Sequence, residues 1–173
     1  MGKSVRWMVW KTVLDFKVCM ECKGKHGKIY SKADRTLQRP PLHPNCRCWL
    51  SDVETITAGK ATTAGINGAD YWLFYFSKLP EYYISYYEAR ALGWEPTKGN
   101  LAEICPGKMV TRGEFRNSKG LLPAAPGRVW YEADISYETR FRGTNRIVYS
   151  NDGLIFVTYD HYETFYEIVG GIR

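Results

Sequence analysis

The chain reads as an α+β protein, with short helices first and antiparallel strands after, preceded by a small Cys-rich module. Three observations lead there. Residues 69–104 hold three short helix-like stretches, each closed by a turn or a breaker. Residues 129–157 hold a run of period-two alternation and a hairpin signal. Of the five cysteines, four fall within residues 19–48.

Ala69 to Ser77 is apolar and aromatic enough for a first helix, which Leu79-Pro80 then breaks. Ser85 to Leu92 reads as a second, with Ser85 as its cap, Glu88 at the capping-box spacing and Gly93 as its stop. Asn100-Leu-Ala-Glu suggests a third, closed before Pro106-Gly107. In V-W-Y-E-A-D-I the alternation puts Val129, Tyr131, Ala133 and Ile135 on one face and Trp130, Glu132 and Asp134 on the other. Both acids thus leave the strand on the same side. Arg146-Ile-Val-Tyr and Leu154-Ile-Phe-Val flank Ser150-Asn-Asp-Gly, a hairpin pattern, and His161 lies just past its second arm.

At 173 residues the chain allows one ordinary domain plus a small appendage. No run of 18 apolar residues exists, so no helical span is expected. Thirteen tyrosines supply half of a high aromatic content, and most are expected in core and sheet positions. The net charge of +6 is uneven: residues 1–52 carry 11 Lys/Arg against 4 Asp/Glu (+7), and residues 53–173 carry 13 against 14 (−1). A basic arm attracts RNA or an acidic partner through a salt-sensitive term, or simply forms a solvated surface. The start, M-G-K-S-V-R-W-M-V-W-K, is a poor signal peptide, because Lys11 interrupts its apolar run and no small-residue cleavage site follows. Composition divides the chain into a small basic Cys-rich module (1–52), a Gly/Thr/Ala-rich linker (53–65) and a larger domain (66–173).

The stretch from Gly127 to Phe165 holds Glu132, Arg142, Arg146 and His161. Those residue types suffice to cleave an RNA phosphodiester without a metal. One group takes the proton of the attacking 2′-hydroxyl, another protonates the leaving 5′-oxygen, and cations hold the charge that builds on phosphorus. Each also has a bland explanation. Glu132 can be merely solvated, His161 can be an idle surface histidine, and the arginines can pair with Glu138 and Asp134.

Order and context carry a resemblance. From about Ile66 to Arg173 the chain resembles the secreted bacillary ribonucleases of the barnase and binase type. The likeness runs through K-L-P-E-Y-Y-I, E-A-R-A-L-G-W, K-G-N-L-A-E, L-P-A-A-P-G-R-V-W-Y-E-A-D-I, R-I-V-Y-S-N-D-G-L-I-F and Y-D-H-Y-E-T-F. It implies N-terminal helices packed on a twisted antiparallel sheet. It also implies Glu132 as general base, His161 as general acid, Arg142 and Arg146 as phosphate-binding cations, and Asp134 as the acid that holds the arginines. The implied reaction on single-stranded RNA is transesterification to a 2′,3′-cyclic phosphate followed by hydrolysis, with no catalytic cofactor and no action on DNA. A barstar-like immunity protein is the implied inhibitor.

Two departures stand out. Tyr86 occupies the position of the family's phosphate-binding lysine. The guanine-recognition loop, F-R-N-S-K-G, keeps Phe115 and Asn117 but carries Ser118 and Lys119 where the family has Arg and Glu. A lysine ammonium has no acceptor for the guanine N1 and N2 edge, so guanine preference is open. Tyr162 matches the base-stacking aromatic beside the histidine. Cys105 is read as a small buried residue.

In the N-terminal module, Cys19-Met-Glu-Cys22 and Cys46-Arg-Cys48 form CxxC followed by CxC, with His26 and His43 nearby. Structural zinc on Cys19, Cys22, Cys46 and Cys48, disulfides, and free thiols are the three readings. W-K-T-V-L-D-F-K-V-C-M-E-C-K-G-K-H-G and P-P-L-H-P-N-C-R-C-W-L resemble the C-terminal end of phage minor-head (head-morphogenesis) proteins. The combination looks like a phage-derived adaptor joined to a nuclease, which implies a toxin or effector released from its producer and acting in a target cytoplasm. The alternative is a phage-derived structural or adaptor protein whose nuclease fold is inactive or only binds RNA.

Overall fold

The computed structural model describes residues 5–171, so the first four residues of the start judged a poor signal peptide lie outside the described residues. The chain divides into two compact units, Met1–Glu54 with Asn117–Pro126, and Thr55–Arg116 with Gly127–Arg173.

In the first unit, W-M-V-W-K-T forms strand β1 (Trp7–Thr12), where bulky side chains suit a sheet surface. Helix α1 (Met20–Lys25) follows, and Cys19 caps it by accepting the Cys22 N–H. Strands β2 (Ile29–Ser31) and β3 (Cys48–Asp52) flank β1 antiparallel in the order β2-β1-β3. The apolar start is therefore a central strand. Trp10 is fully buried, and Trp7, Met8 and Ile29 are buried as well. Segment 117–126 joins this unit through the Ile29 N–H, which donates to the Leu121 carbonyl at 2.8 Å.

The second unit begins inside the stretch expected to be a linker. Thr55–Thr57 forms strand β4, and Ala58 and Ala61 are buried. Asp70 fixes this stretch, because its carboxylate accepts the Gly59 and Ala61 N–H groups at 2.6 and 3.1 Å. Gly, Thr and Ala content signalled flexibility, but small residues are also what a close-packed edge accepts.

Helix α2 (Ala69–Phe76) ends at Ser77 in the left-handed region, before Pro80. Strand β5 (Tyr83–Ser85) runs directly into α3 (Tyr86–Ala91), whose Ser85–Glu88 capping box is fully formed. Helix α4 (Leu101–Ile104) precedes β6 (Met109–Phe115), β7 (Trp130–Asp134), β8 (Arg146–Ser150), β9 (Ile155–Thr158) and β10 (Tyr166–Val169). The sheet order is β4-β10-β9-β8-β7-β6-β5. Its centre is antiparallel, while the two outermost pairs, β10 with β4 and β5 with β6, are parallel.

The two sheet faces part company as the alternation required. Ala133, Ile135, Ile147, Ile155 and Val157 pack with Ala69 and Leu73 of α2 into one core. Burying each Val, Leu or Ile side chain of this set contributes roughly 1.5–3 kcal/mol. Ala89, Trp94, Leu101, Cys105 and Val110 form a second, smaller core around α3 and α4. Cys105 is buried, as its setting suggested. The opposite sheet face carries Glu132, Asp134 and Arg146. Among the described residues, no helix is long and apolar enough to cross a membrane.

Candidate active site

Strand pairing places the key residues side by side. Asp134 of β7 lies opposite Arg146 of β8, and Arg146 lies opposite Thr158 of β9. Glu132 is two residues along β7 from Asp134, hence on the same face. Asp134 is only 2% exposed and Arg146 only 7%. Charges so buried persist only when paired. The Arg142 Nε and Nη2 donate to the two Asp134 carboxylate oxygens at 2.5 and 2.6 Å, and the Arg146 Nε lies 3.2 Å from Oδ1. Arg146 also donates through Nη1 to the Gly143 and Asn145 carbonyls at 2.7 and 2.8 Å. Burial works against the Arg142 charge, but the Asp134 hydrogen bonds and charge outweigh it and hold the guanidinium above its ordinary pKa. Both arginines therefore share Asp134, and the bland pairing of one of them with Glu138 does not occur.

His161 and Tyr162 follow β9 in a turn where both residues have positive φ, 56° and 73°. Neither is glycine, and such a conformation costs on the order of 1–3 kcal/mol per residue. The turn is held by the Thr144 carbonyl, which accepts the His161 N–H at 3.2 Å, and by Thr158 Oγ1, which accepts the Tyr162 N–H at 3.0 Å. The histidine and tyrosine rings lie 4.9 Å apart. The Tyr162 hydroxyl donates to Glu132 Oε2, so the turn is tied to β7. Burial and then the Glu132 carboxylate push the Tyr162 hydroxyl pKa well above its usual value, which keeps it a donor. The Phe115 ring stacks on Tyr162 at 5.3 Å and 19°. His161 itself is exposed.

Tyr86 opens α3 and packs edge-on to the buried Trp94 at 5.1 Å. The Arg112 guanidinium lies 4.5 Å over the Tyr86 ring. Arg112 belongs to a β-bulge: Thr111 pairs with Ala133 and Gly113 with Glu132, leaving Arg112 without a counterpart. Nothing in the local sequence marks that irregularity except Gly113, whose φ is +75°.

Asn117, Ser118 and Lys119, expected from the sequence to bind a base, belong to the first unit. Asn117, at φ 49°, closes the loop on itself: its amide donates to the Leu122 carbonyl at 2.9 Å and accepts the Leu122 N–H at 3.1 Å. Ser118 and Lys119 are exposed.

The cysteine module gathers five donors rather than four. Cys19, Cys22 and His43 form one group and Cys22, Cys46 and Cys48 another, with ligand atoms in each within 4.8 Å of one another. The four cysteines expected as one ligand set thus do not form a single group, and buried Cys22 is common to both. His43 Nε2 lies 3.3 and 3.2 Å from the Cys19 and Cys22 sulfurs. Its Nδ1 lies 2.8 Å from the Pro44 carbonyl. A carbonyl only accepts, so Nδ1 carries the hydrogen and Nε2 turns its lone pair to the thiols. All five cysteines are free. Burial pushes the Cys22 thiol pKa up, while hydrogen bonding, first from the Leu42 backbone, holds Cys46 at about 7. This donor set suits zinc. Sequence spacing found the cysteines and noted His43 nearby, but not that its ring closes the group.

Residues 75–169 match the family model described as ribonuclease. The ribonuclease of Bacillus intermedius is 47% identical over 118 residues, which cover 68% of this chain and 70% of the relative. The chain belongs to the ribonuclease family. A second relative, the ribonuclease of Heyndrickxia coagulans, is 52% identical over 100 residues, covering 58% of this chain and 91% of its own. Residues 2–51 match a different model, described as Phage Mu protein F like protein. The ribonuclease family match thus falls on the part of the chain that holds the Glu132, Arg142, Arg146 and His161 face, and the phage match on the cysteine module.

Proposed function

We propose that this endoribonuclease cleaves single-stranded RNA without a metal, by attack of the 2′-oxygen on the adjacent phosphorus. Glu132 takes the 2′-hydroxyl proton and His161 protonates the departing 5′-oxygen. The product is a 2′,3′-cyclic phosphate, which water opens with the two roles reversed. Arg142 and Arg146 stabilise the charge on the phosphoryl oxygens, and Asp134 holds them in place. DNA, lacking the 2′-hydroxyl, is not cut.

The observation that carries this reading is the tie between Tyr162 and Glu132. It joins the carboxylate of β7 to the turn that bears His161, on the face where Asp134 anchors both arginines. A carboxylate, an imidazole and two fixed guanidiniums are the parts that in-line displacement at phosphorus requires. Stacked Phe115 and Tyr162 offer an aromatic platform for a base. The Lys119 ammonium offers no acceptor to a guanine edge, so guanine preference does not rest on that side chain.

In the N-terminal module we assign a structural zinc to Cys22 with partners drawn from Cys19, His43, Cys46 and Cys48. A metal there would stabilise a segment too small to bury much core. The +7 of residues 1–52 supports an adaptor that meets an acidic partner or RNA. A nuclease joined to a phage-like module fits a toxin or effector acting outside its producer, guarded by an acidic inhibitor of the barstar type.

The test is cleavage of mixed-sequence single-stranded RNA in EDTA, wild type beside His161→Ala, with product ends mapped. Cyclic-phosphate ends that vanish in the variant support the mechanism. A folded wild type that binds RNA without cutting it overturns the mechanism in favour of a binding module.

A further inference from the structure

The two arginines of the catalytic face are already engaged by Asp134. Glu132 and Asp134 contribute two negative charges, and Arg142 and Arg146 two positive ones, so the four cancel. Asp134 takes hydrogen bonds from Arg142 and an ion-pair contact from Arg146, which leaves less of their charge for a substrate. A phosphate that gathers further negative charge during displacement needs a cation not already committed.

Arg112 meets that need. It sits on β6 at the bulge where the strand pairs with Glu132 on one side and follows the β5–α3 junction on the other. A bulge turns a side chain that regular pairing would send elsewhere. Its guanidinium rests 4.5 Å above the Tyr86 ring, a contact that orients a cation without neutralising it. The residue is exposed, and among the described residues it forms no ion pair. Tyr86 cannot swing aside easily, since it packs against buried Trp94.

We propose that Arg112, held over Tyr86 beside Glu132, is a third phosphate-contacting cation and acts mainly in the transition state. This assignment rests on the ribonuclease mechanism above. The ring serves as its support, so that the pair Tyr86–Arg112 delivers positive charge from the α3 side of the site.

The experiment measures steady-state cleavage of a dinucleoside monophosphate and of a longer RNA by wild type, Arg112→Ala, Arg112→Lys, and Arg112→Ala combined with Tyr86→Lys. Arg112→Ala is expected to lower kcat about 10²-fold or more, with a smaller change in KM, as loss of one transition-state donor does. Arg112→Lys retains part of the rate, and Tyr86→Lys restores part of what Arg112→Ala loses, by supplying charge from the other member of the contact. On the longer RNA, the slope of log kcat/KM against log salt falls by about 0.7, the share of one single-strand phosphate contact. A folded Arg112→Ala with kcat within about twofold of wild type overturns the proposal. So does a rate loss that no lysine at either position repairs and that leaves the salt slope unchanged, because that marks a structural role. Failure of the underlying mechanism shows differently: wild type does not cut, or Glu132→Gln and His161→Ala cut as well as wild type, and either result removes both readings.

Discussion

Replacing Asp134 by Asn is the most revealing perturbation of the site. The change keeps the shape and one acceptor oxygen but removes the charge and turns an amide NH₂ toward guanidinium donors. In the native protein Asp134 is 2% exposed and carries contacts of 2.5, 2.6 and 3.2 Å to two arginines. Breaking a buried pair by removing one partner costs about 3–5 kcal/mol, because the surviving charge stays buried and uncompensated. At about 2–4 °C per kcal/mol for a chain of this size, Tm should fall by about 6–20 °C. The two arginines should suffer unequally. Arg146 retains the Gly143 and Asn145 carbonyls, whereas the hydrogen bonds that fix Arg142 both go to Asp134. Asp134→Asn should therefore resemble Arg142→Ala in kcat more than Arg146→Ala, each falling about 10²–10³-fold. The assay is thermal denaturation followed by RNA cleavage well below the lowered Tm. Unchanged Tm would show that the arginines do not depend on Asp134, and a lowered Tm with full kcat would show that their placement is irrelevant to the reaction.

Three further outcomes are expected. Tyr162→Phe keeps the ring that stacks on Phe115 but loses the donor to Glu132, so stability should drop by about 1–2 kcal/mol in urea denaturation. RNA affinity should then fall less than in Tyr162→Ala, which a binding titration on the His161→Ala background would compare. Native mass spectrometry should find one zinc per chain, lost in Cys22→Ser because both donor groups need Cys22, while RNA cleavage by the full chain persists after chelation. At low pH, Asp152 is held below its ordinary pKa first by the Ser150 hydroxyl and also by Arg128, and Asp160 by the Thr164 and Thr158 donors against the opposing effect of burial. A depressed folded-state pKa gives stability that is present above the unfolded value near 3.9 and is lost as pH falls through the folded value. Tm should thus decline below about pH 4 and be insensitive to these groups above pH 6, and Asp152→Asn should flatten the acid limb.

Much of the second unit was legible residue by residue. Ser85 and Glu88 announced a capping box, Pro80 a helix end and Ser150-Asn-Asp-Gly a hairpin, and all three are present. Each is a local rule, set by backbone dihedrals and by hydrogen bonds a few residues long. Period-two alternation likewise determined that Glu132 and Asp134 share a face, since a strand offers only two. Alternation did not distinguish their surroundings: Asp134 is buried under two arginines, while Glu132 stays partly open. What tertiary structure alone decided depends on partners far away in the chain. Composition marked residues 53–65 as a linker, yet Asp70 and the edge of β10 order Thr55–Ala61. The apolar W-M-V-W, a poor signal peptide by its sequence, is a central strand because β2 and β3 supply both of its neighbours. Nothing in the local sequence singles out Arg112; the bulge opposite Glu132 sets it over Tyr86. Sequence determined which chemistry the chain carries, through residue types and short-range signals. Long-range pairing decided which charges are paired with one another and which are not, because that balance depends on burial and distance, and neither is written in a local pattern.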